Sequence, residues 1–183
     1  MLAEFYFTTQ LLQSEFNCEN FFFRLELTQK TPKISCILRS FGSYTILEKT
    51  HLPLWCSVIY EKMKLGKIFA PKWLNSKWLE KKIFNEVDND YLQLVPRNYI
   101  EIIYIIHKNN LNFLKNNLAL LVVTEDIFSN RINKLTMGLI HLRLSIRALK
   151  LENIGEVELI NFRKILKIQL QIINFTNFSL KYV

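Results

Sequence analysis

Catalysis needs nucleophilic or titratable groups brought together, and this chain supplies few: three histidines (His51, His107, His141) and three aspartates (Asp88, Asp90, Asp126). The motifs that would organise such groups are missing. The sequence has no G-x-x-x-x-G-K-[ST] loop to cradle phosphates, no G-x-G-x-x-G after a strand, no G-x-S-x-G elbow and no H-E-x-x-H helix. His51 and Cys56 lie five apart with Cys36 further back, which matches no zinc-ligand spacing, so His51 reads as an incidental residue at a helix start. Asp88 and Asp90 sit among asparagines, where solvated turn residues are expected. An enzyme using His107 or His141 would need a pocket with convergent polar groups, and nothing in the sequence supplies them. The chain is therefore expected to be no enzyme, with no catalytic, metal-ligating or cofactor-binding residue and no cofactor.

Two other groups of residues suggest contact rather than catalysis. Arg143, Arg147 and Lys150 fall at i, i+4 and i+7, so on a helix they line one face with positive charge. Such a face can track a phosphate backbone or an acidic partner, or simply be solvated; a basic helical nucleic-acid-binding module is the alternative functional reading. Trp55, Trp73 and Trp78 each cover a large apolar area and usually need a partner for the indole N–H, which makes them core or interface anchors.

The elements that must position these residues follow from composition and pattern. Half of the 183 residues are hydrophobic and 22% are charged, enough apolar surface to offset the conformational entropy of folding. Only four Gly and four Pro argue against a many-turned sandwich or barrel and for long helices. The net charge of +8 favours anionic partners in principle. The excess is mostly lysine, seventeen against seven Arg, and accompanies many Asn, Ile and Phe, so it reads as compositional drift with solvated lysines. Three widely spaced cysteines fit reduced thiols. The longest apolar run, around Ile102 to Ile106, is closed by His107 and Lys108, too short to span a bilayer, and Met1 to Thr9 resemble no secretory signal. Cytosol or nucleus is the expected compartment.

Period-two alternation predicts strands at Phe22–Leu27, Ile34–Leu38 and Tyr44–Leu47, with turns at Thr31–Lys33 and Phe41–Ser43. A helix over Ala3–Cys18 precedes them. After them, Pro53 opens a short helix with Leu54, Trp55, Val58, Ile59 and Met63 at helical spacing, and residues 67–71 read as an extended link. Asn75 or Ser76 caps a helix carrying Trp78, Leu79, Ile83 and Phe84, and residues 87–93 read as a loop. Pro96 opens a core helix burying Tyr99, Ile102, Ile103 and Ile106. A helix of some thirty residues from Leu118 to Leu149 and a last one with Leu159, Phe162, Leu166, Leu170 and Ile173 inward complete the chain. The expected fold is mainly α, a helical bundle-like domain over 51–183, with a small β-rich N-terminal module over 1–50: α+β overall.

Several of these landmarks carry a resemblance. Leu52-Pro53-Leu54-Trp55 opens a helix; Ala70-Pro71-Lys72-Trp73-Leu74 precedes the helix containing Leu79-Glu80-Lys81-Lys82; Pro96, Tyr99 and Glu101 follow. Further on, Asp126-Ile127-Phe128-Ser129-Asn130-Arg131-Ile132-Asn133-Lys134-Leu135 is similar to a D-x-W-x-x-R-x-x-K-L stretch, and Leu151-Glu152-Asn153-Ile154 with Glu158 to an L-x-N-L turn into a last helix. In this order and spacing, from about Leu52 to Leu170, they resemble the partner-of-Sld-five subunits of the GINS complex, a four-protein DNA replication factor. Phe128 stands at the position where that family commonly has Trp, Ser129 replaces an acidic residue, and the first fifty residues match only in layout. The sequence also stops at Val183 without the acidic tail of some relatives, which reads as a divergent member.

The resemblance implies a β-rich module before a helical domain, inside a nuclear heterotetramer with three paralogous subunits. That tetramer joins the MCM ring and a RecJ-like partner in the replicative helicase, where it acts as scaffold and coupling factor in initiation and elongation; contact with DNA would be indirect. It also implies roles for Trp55, Trp73, Arg131 and Lys134 as interface or structural anchors.

Overall fold

The computed structural model describes residues 2–37, 39–109, 111, 118–140 and 151–180. Among them, in chain order, lie α1 (Leu2–Glu19), β1 (Phe22–Leu27), β2 (Ile34–Ser35), β3 (Ser40–Phe41), β4 (Lys49–Pro53), α2 (Leu54–Lys62), β5 (Gly66–Ile68), α3 (Ser76–Asp88), α4 (Tyr99–Lys108), α5 (Leu118–Ile140) and α6 (Glu156–Leu180). The fold is mainly helical with a small sheet, α+β as composition and patterning predict.

Strict alternation makes β1 two-faced, because side chains two apart in a strand share a face. Phe23, Leu25 and Leu27 are buried, while Phe22 and Arg24 meet solvent. β1 is the centre of an antiparallel sheet of order β4-β1-β5, with Phe23 opposite Leu52 and Leu25 opposite both Thr50 and Ile68. Gly66 permits the close approach of β5, since a Cβ there would stand 3.1 Å from the Leu25 side chain and the Glu26 carbonyl oxygen.

The strand boundaries differ from the pattern-based expectation in four places. The strand expected over Ile34–Leu38 is confined to Ile34–Ser35 among the described residues, and Phe41, expected in a turn, pairs with Ile34 in β3. Tyr44–Leu47 forms no strand: Tyr44 makes only an isolated bridge to Thr31, and Leu47 adopts φ 63°, a left-handed conformation that ends extended structure. Residues 67–71, expected to link two helices, begin inside β5. His51 and Pro53, expected at a helix start, lie in β4, and α2 begins one residue later. Pro53 can close the strand and cap the helix because its ring fixes φ, here −54°, and its ψ of 147° is extended. Residue 50 thus falls within a hydrogen-bonded strand, and the sheet draws on both sides of it.

The helices bury the expected faces with some exceptions. Asn75 caps α3, its side chain accepting from the Lys77 N–H at 3.1 Å, and α3 continues to Asp88, into the segment read as a loop. On α4, Tyr99, Ile102, Ile103 and Ile106 are buried as predicted, joined by Glu101 and Ile105. On α2, Ile59 and Met63 face solvent although their spacing suggested the inner side, because Cys56, Ser57 and Tyr60 take the buried positions. On α6, Phe162 and Ile160 are buried, whereas Leu170 is exposed. The stretch of the predicted long helix beyond Ile140 lies outside the described residues.

Two apolar clusters result. The larger joins the inner sheet face to α2, α4, Leu79 of α3 and the first turns of α5 through Leu120 and Ile127; the smaller gathers Leu135 and Leu139 of α5 with Phe162 of α6. Each buried Leu or Ile contributes about 1.5–3 kcal/mol. On α5 the residue between the two clusters is Arg131.

Candidate functional site

Arg131 is fully buried, and its position follows from the helix period. Leu120, Thr124, Ile127, Arg131, Leu135 and Leu139 form one inward stripe of α5 at spacings of three and four. A buried guanidinium is tolerable only when its five N–H donors and its charge are matched. Here all five are. Nε donates to Glu158 Oε1 at 2.6 Å and Nη2 to Glu158 Oε2 at 3.0 Å, a two-pronged pairing; Nη1 donates to Glu86 Oε2 at 3.1 Å and to the Gln93 carbonyl at 2.7 Å; Nη2 also donates to the Asn153 carbonyl.

The partners are held as fully as the arginine. Glu158, in the first turn of α6, also accepts from the Tyr99 hydroxyl at 2.7 Å and from the Gly155 N–H at 2.8 Å. The last bond is half of a capping box, in which the third helical residue reaches back to the cap. Gly155 allows it, since a Cβ would press within 3.0 Å of the Arg97 carbonyl oxygen. Glu86, in the last turns of α3, accepts from the Gln93 N–H at 3.0 Å and from Lys134 Nζ at 3.0 Å; Lys134 donates as well to the carbonyls of Glu86 and Asn89. Asn153 sits at φ 56°, a left-handed conformation that asparagine tolerates, and its own side chain donates to the Leu92 carbonyl. Two cations thus face two carboxylates in a closed network joining α3, α4, α5 and α6.

The electrostatics fit that closure. Burial by itself would lower the Arg131 pKa, but the bonds and charge of Glu158 outweigh it and the net displacement is upward, keeping the guanidinium charged. Burial, reinforced by the charge of Glu158, pushes the Tyr99 hydroxyl far up, so it remains a donor. Every N–H of Arg131 in this network is used within the fold. Chemically the network can fix the relative positions of four helices.

A second buried polar cluster ties α1 to this frame. Ser14 donates to Glu101 Oε1 at 2.5 Å and to Glu156 Oε2 at 3.2 Å, and Asn98 donates to Glu101 Oε1 at 3.2 Å. Burial raises the Glu101 pKa; the Ser14 and Asn98 bonds pull it partly back and the charge of Glu156 adds to the rise. Nearby, Cys18 is pushed up to about 12 by burial and then by Glu101 and Glu156. Arg97 meets Glu156 at 3.1 Å from the rim.

Of the residues singled out from sequence, Arg131 and Lys134 lie in the ion network. Trp55 and Trp73 are partly buried against the larger core cluster, Trp55 edge-on to Phe41 at 6.1 Å and Trp73 edge-on to Trp78 at 6.5 Å. Arg143, Arg147, Lys150 and His141 lie outside the described residues. His51 and His107 are exposed, as are Asp88 and Asp90. Among the described residues no cluster of His, Cys, Asp or Glu is arranged to hold a metal, and no helix is long and apolar enough to cross a membrane. Glu86 was not singled out from sequence. Its signal was its place seven residues after Leu79, two turns along the same buried face of α3. In comparisons with known proteins, no family model matches the chain and no curated protein does.

Proposed function

We propose that the chain is a non-catalytic scaffold subunit of a heterotetrameric GINS complex, of the second partner-of-Sld-five type, working in the nucleus with three paralogous subunits. In that reading the tetramer couples the MCM ring to its RecJ-like partner during DNA replication, and this chain contributes complementary surface rather than chemistry.

The observation that carries the reading is convergence. Tyr99, Arg131, Lys134 and Glu158 carry the sequence resemblance and are spread over some sixty residues, yet their side chains meet in one network, which the Asn153 backbone carbonyl completes. Residues matched by chance would have no reason to bond to one another. A second support is uncovered apolar surface: Val122 and Met137 on α5 and Ile168, Leu170 and Ile172 on α6 are each about half exposed, more than an isolated subunit needs.

Co-expression with the other three GINS subunits of the same organism, followed by size-exclusion chromatography with light scattering, tests the reading. The expected result is a stoichiometric tetramer containing this chain. A well-behaved monomer that ignores those subunits would remove the proposal.

A further inference from the structure

The sheet has a second face that the helices leave open. Register places Glu26 between Lys49 and Lys67, and Arg24 opposite His51, all on the side away from Leu25 and Leu27. Phe69 continues β5 opposite Arg24, its N–H donating to the Arg24 carbonyl at 2.9 Å. Phe22 shares the face. Two phenylalanines therefore stand on a solvent-exposed sheet surface, 49% and 37% accessible, where polar residues are the rule. Their diagonal relation across β1 and β5 sets them about 7–8 Å apart. Each ring has an arginine over it: Arg24 above Phe69 and Arg39 above Phe22, both 5.8 Å from the ring centroid.

We propose that this face binds single-stranded nucleic acid, with bases stacking on Phe22 and Phe69 and phosphates meeting Arg24, Arg39, Lys49 and Lys67. The pairing of exposed aromatic rings with adjacent cations is what such a ligand requires, because stacking accepts any base and the cations follow the backbone. Charge alone would suit an acidic peptide as well. A purely charged peptide such as polyglutamate, however, makes no use of two exposed rings, whereas bases stack on them. Against the four cations the face carries one carboxylate, Glu26, already near Lys49 at 3.8 Å. A base that displaces the guanidinium from a ring leaves that guanidinium beside the phosphate it can bind. This site is separate from the helical surfaces on which the scaffold reading rests.

The test is fluorescence anisotropy of the full chain with a short labelled oligothymidylate. Binding is expected to weaken as salt rises from about 50 to about 200 mM. Replacing both rings, Phe22→Leu with Phe69→Leu, should lower affinity about tenfold or more. Phe22→Tyr with Phe69→Tyr should keep it, because the ring is retained. Arg24→Gln with Lys67→Gln should reduce the salt slope of log K by about 1.4, at about 0.7 per lost phosphate contact. Polyglutamate at equal charge should displace the oligonucleotide poorly. The proposal is overturned by absence of binding at low salt, by a leucine pair that binds like the parent, by a tyrosine pair that loses affinity as the leucine pair does, or by equal displacement with polyglutamate.

Discussion

Two buried polar clusters share the first turn of α6, and they are built to opposite rules. Glu158 faces Arg131, where two cations and two carboxylates balance and every guanidinium proton is used. Glu156, two residues earlier, faces Ser14 and Glu101, where two carboxylates approach one hydroxyl and the cation paired with Glu156, Arg97, stands at the rim with 71% of its side chain exposed. The balanced cluster fixes helices α3 to α6 in one arrangement. The unbalanced one holds α1 through a carboxylate whose pKa burial raises. The fixed frame and the joint to α1 thus meet within the same turn of helix.

The largest effect should come from emptying the balanced cluster. Arg131→Met leaves Glu86 and Glu158 buried without a counter-charge and is expected to cost about 3–5 kcal/mol, read as a lower urea midpoint at unchanged slope. Arg131→Lys should rescue little, since an ammonium cannot reproduce the five-donor fork. A loss under about 1 kcal/mol for the methionine variant would mean that the cluster is not the fixed point described here. Next in size is Tyr99→Phe, which removes one bond to a charged acceptor and should cost about 1.5–3 kcal/mol.

Why the two clusters were unequally legible in the sequence has a physical answer. Arg131 and Lys134 were flagged only because the stretch around them resembles a family motif. Glu86 was not, because a carboxylate near a helix end reads as solvated unless the same face is followed back two turns to Leu79. Helices were recoverable because their period is local: α3 and α4 carry the predicted inward residues Leu79, Tyr99 and Ile102. The short strands were not, since β4 and β5 exist through pairing with β1 across many residues, and residues 67–71 are extended with or without that partner. The bonds from Ser14 to Glu101 and Glu156 span 87 and 142 positions, and no local pattern announces them.

The joint should reveal itself in pH dependence. Glu101 has a folded pKa raised above its ordinary value of 4.5, so its contribution to stability is complete below that value and is lost as pH climbs through the raised one. Glu101→Gln keeps an oxygen for Ser14 and Asn98 but no charge. The variant should gain on the parent as pH rises from 4.5 toward neutrality. Urea titrations across that range measure it, and parallel curves for parent and variant would show that the carboxylate does not titrate differently on folding.

The smallest effect should be at the rim. Arg97→Gln removes the 3.1 Å contact with Glu156, but the arginine is mostly in water, where attraction between ions is screened and offset by the entropy of holding a long side chain. The backbone bond from the Glu156 N–H to the Arg97 carbonyl survives the substitution. A cost of about 0–1 kcal/mol is therefore expected, shrinking further at about 1 M salt. A cost of several kcal/mol that ignores salt would make Arg97 an internal counter-charge in all but position. The second cluster would then be as balanced as the first, and the pH sensitivity assigned to it would have to vanish as well.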